Sequence, residues 1–310
     1  MDPSTALIPS ALGPYAPLET VLDEARAAGT AEVYGQSVEG RPLLAVRVGD
    51  GPVPLLLTAG IHGLEYIGVR TLLEVLRSGP IPQATLWVLP VLNPDAYVRT
   101  WTQEGDAPVG ALRKNARGVD LNRNFPLPFS ARPARLGIAG SPDPASATYR
   151  GPAPLSEPET RTLAAFARRV RPRGAVDLHA FMGSLIPARV WRADDWFGYT
   201  KLCRAFRQGQ AGVAGYVRLS TPIFDVFTGE LEDWLHHVLG CWAVCVECFR
   251  VDETLRQHWR APTSFWRFNP REPDSIVARD AAGVRAMLEA MTRAPLLQVR
   301  PEAGHTRDVW

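Results

Sequence analysis

Val53-Pro54-Leu55-Leu56-Leu57-Thr58-Ala59-Gly60-Ile61-His62-Gly63-Leu64-Glu65 is the stretch from which the fold can be read. Val53 to Thr58 form a nearly unbroken apolar run, as expected of a strand buried on both faces of a sheet. Ala59-Gly60 ends the run, and beyond it Val69, Leu72, Leu73 and Leu76 recur at the spacing of one helical face. Similar apolar strands are expected at Ala84 to Val91, Gly174 to Leu178 and Trp242 to Val246. Leu163, Phe166, Ala167 and Val170 give a second helical face, with Ser156 as the expected N-cap and Glu159 three residues on. Val284, Met287, Leu288 and Met291 mark another helix. Neither an internal repeat nor a Gly/Ser linker divides the chain. The expectation is therefore a single domain over residues 1–310, of α/β class. It would have a doubly wound, mostly parallel (mixed) sheet with helices on both faces. Residues 92 to 155, rich in Pro, Gly, Asn and Arg, read as one long functional loop.

The composition is that of an ordinary globular domain: 310 residues, 46% apolar and 21% charged, with a net charge of +2. So small a charge gives no reason to expect nucleic acid or an acidic membrane as partner. Met1 to Pro17 lack the basic-then-apolar order of a secretory leader. No run approaches the roughly 18 apolar residues of a membrane span, so the expected location is the cytoplasm. Cys203 stands alone, and Cys241, Cys245 and Cys248 crowd the run CWAVCVEC. With no second CxxC pair to complete a zinc finger, all four are expected to be reduced core residues.

Four segments carry chemistry, and a doubly wound sheet places ligands where they fall, at the carboxyl ends of strands. An imidazole and a carboxylate three residues apart, His62 and Glu65, can converge on one Zn²⁺ from a strand-to-helix turn, although such a pair is common by chance. His179 ends the strand containing Asp177-Leu178. A lone histidine there is more often a core residue. As the third of a His62, Glu65, His179 set it completes the arrangement of a catalytic zinc with water in the fourth position. His236-His237 in an apparent helix, and His258 and His305 in polar surroundings, compete poorly. Arg113 to Pro126 (RKNARGVDLNRNFP) suits a substrate carboxylate or an oxyanion, with a solvated basic loop as the equal alternative. Glu247, a carboxylate inside an apolar strand, is costly unless paired or functional, and beside a metal it suits a general base.

Taken together these segments resemble the zinc carboxypeptidase family. The likeness runs from Ala31 to Arg250 in the family's order. It passes through Gly35 to Pro42 (GQSVEGRP), the HGxE turn, GVDLNRNFP, SEPET and Glu247. The branch that trims murein peptides looks nearest, through its RxNxxGVDLNRNFP spacing. The resemblance implies one Zn²⁺ per chain held by His62, Glu65 and His179, with Asp120 orienting a zinc-bound histidine. It implies that Arg113 stabilises the oxyanion, that Asn122 and Arg123 grip a terminal carboxylate, and that Glu247 is the general base. Laid on the family without a gap, Asp233-Trp234 matches its Asp-Trp pair. Asp225 then falls at the family's mobile tyrosine, and Glu232 where the departing side chain is read. An acid there implies a preference for lysine, arginine or a diaminopimelate-like residue; the alternative is that Glu230, Glu232 and Asp233 form a solvated acidic turn.

The implied activity is a metallocarboxypeptidase acting on a peptide or N-acyl amino acid with a free carboxylate. One rival is a zinc deacylase of small N-acyl amino acids such as succinylglutamate, using the same ligands. Another is a non-catalytic binding module, which would be expected to have lost a ligand or Glu247. Trp259, Phe265, Trp266 and Phe268 are expected to pack rather than to recognise substrate.

Overall fold

The computed structural model describes residues 11–126, 140–211, 215–219 and 228–297. In chain order the elements are α1 (Leu18–Ala27), β1 (Thr30–Gln36), β2 (Pro42–Val48), β3 (Val53–Ala59), α2 (Tyr66–Arg77), β4 (Ala84–Leu89), α3 (Pro94–Thr102) and α4 (Val109–Arg113). There follow α5 (Pro158–Val170), β5 (Gly174–Ala180), β6 (Ser184–Pro187), α6 (Ala193–Gly209) and β7 (Val217–Arg218). The last are α7 (Leu231–Leu239), β8 (Trp242–Cys248), α8 (Leu255–Trp259), α9 (Phe265–Phe268) and α10 (Asp274–Thr292).

One mixed sheet of eight strands has the order β1-β2-β4-β3-β5-β8-β6-β7. Its centre, β4-β3-β5-β8, is parallel, and the β1-β2 hairpin and β6 add antiparallel partners at either side. Side chains alternate across a strand, so each central strand feeds two layers. Leu55 and Leu57, Val176 and Leu178, and Val244 and Val246 enter a large core with α1, α2, α6 and α10. The alternate residues Leu56, Ala175 and Ala243 meet α5 and α7 in a second core. Along that second face the row turns polar toward the carboxyl ends, at Thr58, Asp177, His179, Cys245 and Glu247. Among the described residues no helix is long and apolar enough to cross a membrane.

Several expectations change. The stretch from 92 to 155 is no bare loop: Asn93 caps α3 by accepting from the Ala96 N–H at 3.2 Å, with Pro94 at the first helical position. It also holds α4 and a 3₁₀ turn at Leu121–Arg123. Ser156 is not the cap of α5. That helix starts at Pro158 behind Glu157, without a side-chain cap bond. The Ser156 hydroxyl instead donates to Glu157 at 2.8 Å and accepts from Asn124 at 3.0 Å. Glu159 is drawn away to the Val38 N–H at 3.0 Å and Asn115 at 3.2 Å, so no capping box closes. All four cysteines are free and buried, as expected. Phe265 and Trp266 pack, Phe268 lies against the core, but Trp259 is 79% exposed.

The apolar face of α2 couples the site to the core, because His62 and Glu65 stand just before its first turn. Leu72, fully buried on that face, should lose about 2–5 kcal/mol of stability as Leu72→Ala. Urea unfolding measures this, and an unchanged midpoint would contradict the packing.

Candidate active site

The turn after β3 is shaped by backbone bonds. The Ala59 and Gly60 carbonyls accept from the Leu92 and Asn93 N–H groups at 3.0 and 2.9 Å, and Asn93 Nδ2 donates to the Ile61 carbonyl at 3.2 Å. The Glu65 N–H then donates to the His62 carbonyl at 3.2 Å, folding both side chains to one side. Gly63 allows this close passage, since a Cβ there would stand 2.3 Å from the Ala96 backbone. His62 Nδ1 lies 2.8 Å from Glu65 Oε1, and His179 Nδ1, from the end of β5, lies 3.1 Å from Glu65 Oε2. All three residues are 2% exposed, and one donor atom from each falls within 4.8 Å of the others.

Behind each imidazole stands a carboxylate. His62 Nε2 is 3.1 Å from Asp120 Oδ1, and His179 Nε2 is 2.8 Å from Asp177 Oδ2. Asp120 is in turn held by Arg113 Nε at 2.8 Å and by the Asn122 N–H at 3.1 Å; Asp177 accepts from the Thr58 hydroxyl at 2.6 Å. With the Nε2 atoms turned to Asp120 and Asp177, the Nδ1 atoms of both rings face Glu65, the side from which they would meet a metal ion on losing the proton there. Two imidazoles and one carboxylate fit Zn²⁺ and leave a position open for water. Asp120 stands beside His62, where it would orient that ring if a metal were bound. Asp177 and Thr58 were not foreseen, although an Asp-X-His spacing on a strand puts both side chains on one face.

The electrostatics call for a cation. Burial alone would raise the Glu65 and Asp120 carboxyls; His62 and His179 hold the first well below the usual range, and Arg113 and His62 hold the second there. Burial likewise opposes a charged His179, but Asp177 and Glu65 outweigh it and raise its pKa well above normal. Glu247 sits opposite His179 in the β5–β8 register. Burial, and then repulsion from Glu65, push its carboxyl up to about 7, against the pull of His179, His62 and Arg113.

Arg113, the last residue of α4, reaches the same centre, with NH1 3.9 Å from Glu65 Oε1. Asn122 and Arg123 lie on the 3₁₀ turn and are almost fully buried. The Asn122 side-chain carbonyl accepts from the Leu231 N–H at 2.9 Å, docking the start of α7. Arg123 NH1 faces Glu230 Oε1 at 3.4 Å. Gly229 permits this approach with φ +77°, where a Cβ would meet the Arg123 carbonyl at 2.3 Å. No solvated acidic turn exists here: Glu230, Glu232 and Asp233 are 4%, 2% and 1% exposed. Asp233 is held by the Arg189 N–H at 2.7 Å, whereas neither Glu232 carboxyl oxygen has a hydrogen-bond partner. Glu232 borders a gap beside Thr58 and Asp177 that is too narrow for water. Burial, then Glu230 and Asp233, raise its carboxyl well above the usual range. Asp225 lies outside the described residues.

The sequence profile of the zinc carboxypeptidase family matches residues 18–257. Carboxypeptidase A6 of Mus musculus is 31% identical over 173 residues, 49% of this chain and 38% of that protein. Carboxypeptidase B of Rattus norvegicus is 31% identical over 157 residues, 45% of this chain and 36% of that one. The matches thus span less than half the length of these relatives. Among solved structures, carboxypeptidase A from Helicoverpa armigera superposes with a TM-score of 0.70 at 19% identity, over 92% of this chain and 75% of that one. Bovine thrombin-activatable fibrinolysis inhibitor does so at 0.70 and 19%, over 90% and 96%. At that identity the likeness is one of fold. With the profile match over residues 18–257 and the His62, Glu65, His179 group at the strand ends, the chain belongs to the zinc carboxypeptidase family.

Proposed function

We propose that the protein is a zinc metallocarboxypeptidase that hydrolyses the terminal peptide or amide bond of a substrate with a free carboxylate. The observation that carries this reading is the convergence of His62, Glu65 and His179 with Glu247 and Arg113 around one point. When bound there, Zn²⁺ supplies Lewis-acid polarisation and lowers the pKa of water toward about 7.

The chain's own groups do the rest. Glu247 takes the proton of the attacking water and returns it to the leaving amine. Arg113, held on Asp120, donates to the oxygen on which negative charge develops. Asn122 and Arg123 hold the substrate carboxylate, which presents the terminal bond alone and keeps it in reacting geometry. Glu232 is buried beside a gap too narrow for water, so it would meet a cationic terminal side chain such as lysine, arginine or a diaminopimelate-like residue only if α7 shifts on substrate binding, the carboxyl then giving up its proton.

A panel of peptides ending in Lys, Leu and Glu, with N-acyl amino acids alongside, tests this on the zinc-loaded protein. Lysine peptides should turn over fastest, and Glu247→Gln should cost about 10²–10⁴ in kcat with zinc retained. Equal turnover of the three peptides would contradict the side-chain preference. Faster turnover of the N-acyl amino acids would make the enzyme a deacylase, and full activity in Glu247→Gln would contradict the mechanism.

Activity should also fall with acid. Glu247 accepts a proton only when ionised, so kcat/KM is lost as pH drops through its pKa. The protein alone sets that carboxyl at about 7, and a bound cation pulls it lower, so the midpoint of the acid limb should lie below 7. A rate unchanged down to about pH 4 would contradict this role.

A further inference from the structure

Asp280, on α10, is a fully buried carboxylate that the proposed reaction leaves unused. Four donors converge on it. Its Oδ1 accepts from Gln210 Nε2 at 3.0 Å and from Arg279 Nε at 3.1 Å. Its Oδ2 accepts from the Tyr216 hydroxyl and from the Phe249 N–H, the latter at 3.1 Å. Gln210 directly follows α6, Tyr216 leads into β7, and Phe249 directly follows β8. Arg279 also reaches past the exit of β8, where its NH1 donates to Glu253 at 2.6 Å.

The bond to Phe249 bears on the site, because Phe249 stands two residues beyond Glu247. Its backbone is left-handed, with φ +45°, a conformation that a bulky L side chain keeps only where its surroundings impose it. Two contacts do so. The Asp280 carboxylate holds the N–H, and the ring, 1% exposed, stacks on Phe181 with centroids 6.1 Å apart. Phe181 lies two residues beyond His179, so the turn ties together the ends of the two strands that carry His179 and Glu247. Those residues form the last pair but one of the β5–β8 ladder, with Ala180 and Cys248 closing it. Little of the ladder remains there to fix the direction of Glu247. A carboxylate suits the task, since its two oxygens can take all four donors, whereas an amide would turn its own N–H groups toward two of them.

We infer that Asp280 is a positioning residue for Glu247: by holding the left-handed turn at Phe249, it keeps the Glu247 carboxylate aimed at the point where His62, Glu65 and His179 converge. The effect on turnover rests on the role proposed for Glu247; the hold on the turn does not. Asp280 acts on the reaction through Glu247 alone, so its contribution disappears once Glu247 is replaced.

A double-mutant cycle on the zinc-loaded protein tests this. Asp280→Asn should lower kcat about 10–10²-fold, with KM within about twofold of the wild type and one zinc per chain retained. In a Glu247→Gln background the same change should cost less than about twofold. A purely structural role would lower both backgrounds alike, so equal losses would overturn the positioning, as would an Asp280→Asn protein as fast as the wild type. Full activity in Glu247→Gln would overturn the base itself and the positioning with it, a failure visible without any change at Asp280. Amide exchange in the wild type decides the matter if Asp280→Asn folds poorly. The Phe249 N–H should exchange as slowly as the amides of β8, and exchange at the rate of an unprotected amide would overturn the hold.

Discussion

The Asp120 and Asp177 carboxylates, each within hydrogen-bond reach of an imidazole Nε2, fix which face of His62 and His179 can meet a cation. Without them either ring could flip or change tautomer, and the Nδ1 atoms would not be held toward Glu65. Each carboxylate is itself tied into the scaffold. Thr58 on β3 bonds Asp177 on β5, and Arg113 on α4 bonds Asp120. The register that pairs Thr58 with Asp177 and His179 with Glu247 therefore sets the arrangement of the candidate ligands and the place of the proposed base together. A slip of one residue in β5 would turn Asp177 and His179 into the opposite core.

Charge balance is the second constraint. Glu65, Asp120 and Glu247 crowd a region where burial opposes ionisation, and Arg113 is a cation already in place beside them. Glu247 shows the strain, its carboxyl pushed up to about 7. Glu232 and Cys245 extend the same unbalanced region inward, along the face between the sheet and α7. A divalent ion held by His62, Glu65 and His179 would relieve the imbalance, which would tie the stability of the site to the proposed function.

Much of this was legible in the sequence because it is local. An apolar run cut by Gly60 announces a strand end, and His62 and Glu65 follow within five residues. Glu247 stood out as a charge inside a strand. The rest depends on contacts that local pattern does not encode. Arg123 meets Glu230 across 107 positions, and Asn122 meets Leu231 across 109. Glu230, Glu232 and Asp233 look like a surface turn because three acids in four residues ordinarily seek water, yet all three are packed inward: Glu230 faces Arg123, Glu232 lies beside Thr58 and Asp177, and Asp233 accepts from the Arg189 N–H. Ser156 has the residue type of a cap, but Asn124, far away in the chain, claims its hydroxyl first. Asn93-Pro94 did carry a helix-start signal, obscured by the loop-like composition around it.

Elemental analysis of the purified protein, paired with His179→Ala, tests the metal centre most directly. The geometry predicts about one tightly held zinc per chain in the wild type, and nearly none in the variant under the same conditions. A wild-type protein that binds no zinc, or a His179→Ala variant that retains it as tightly, would contradict the centre on which the proposed chemistry rests.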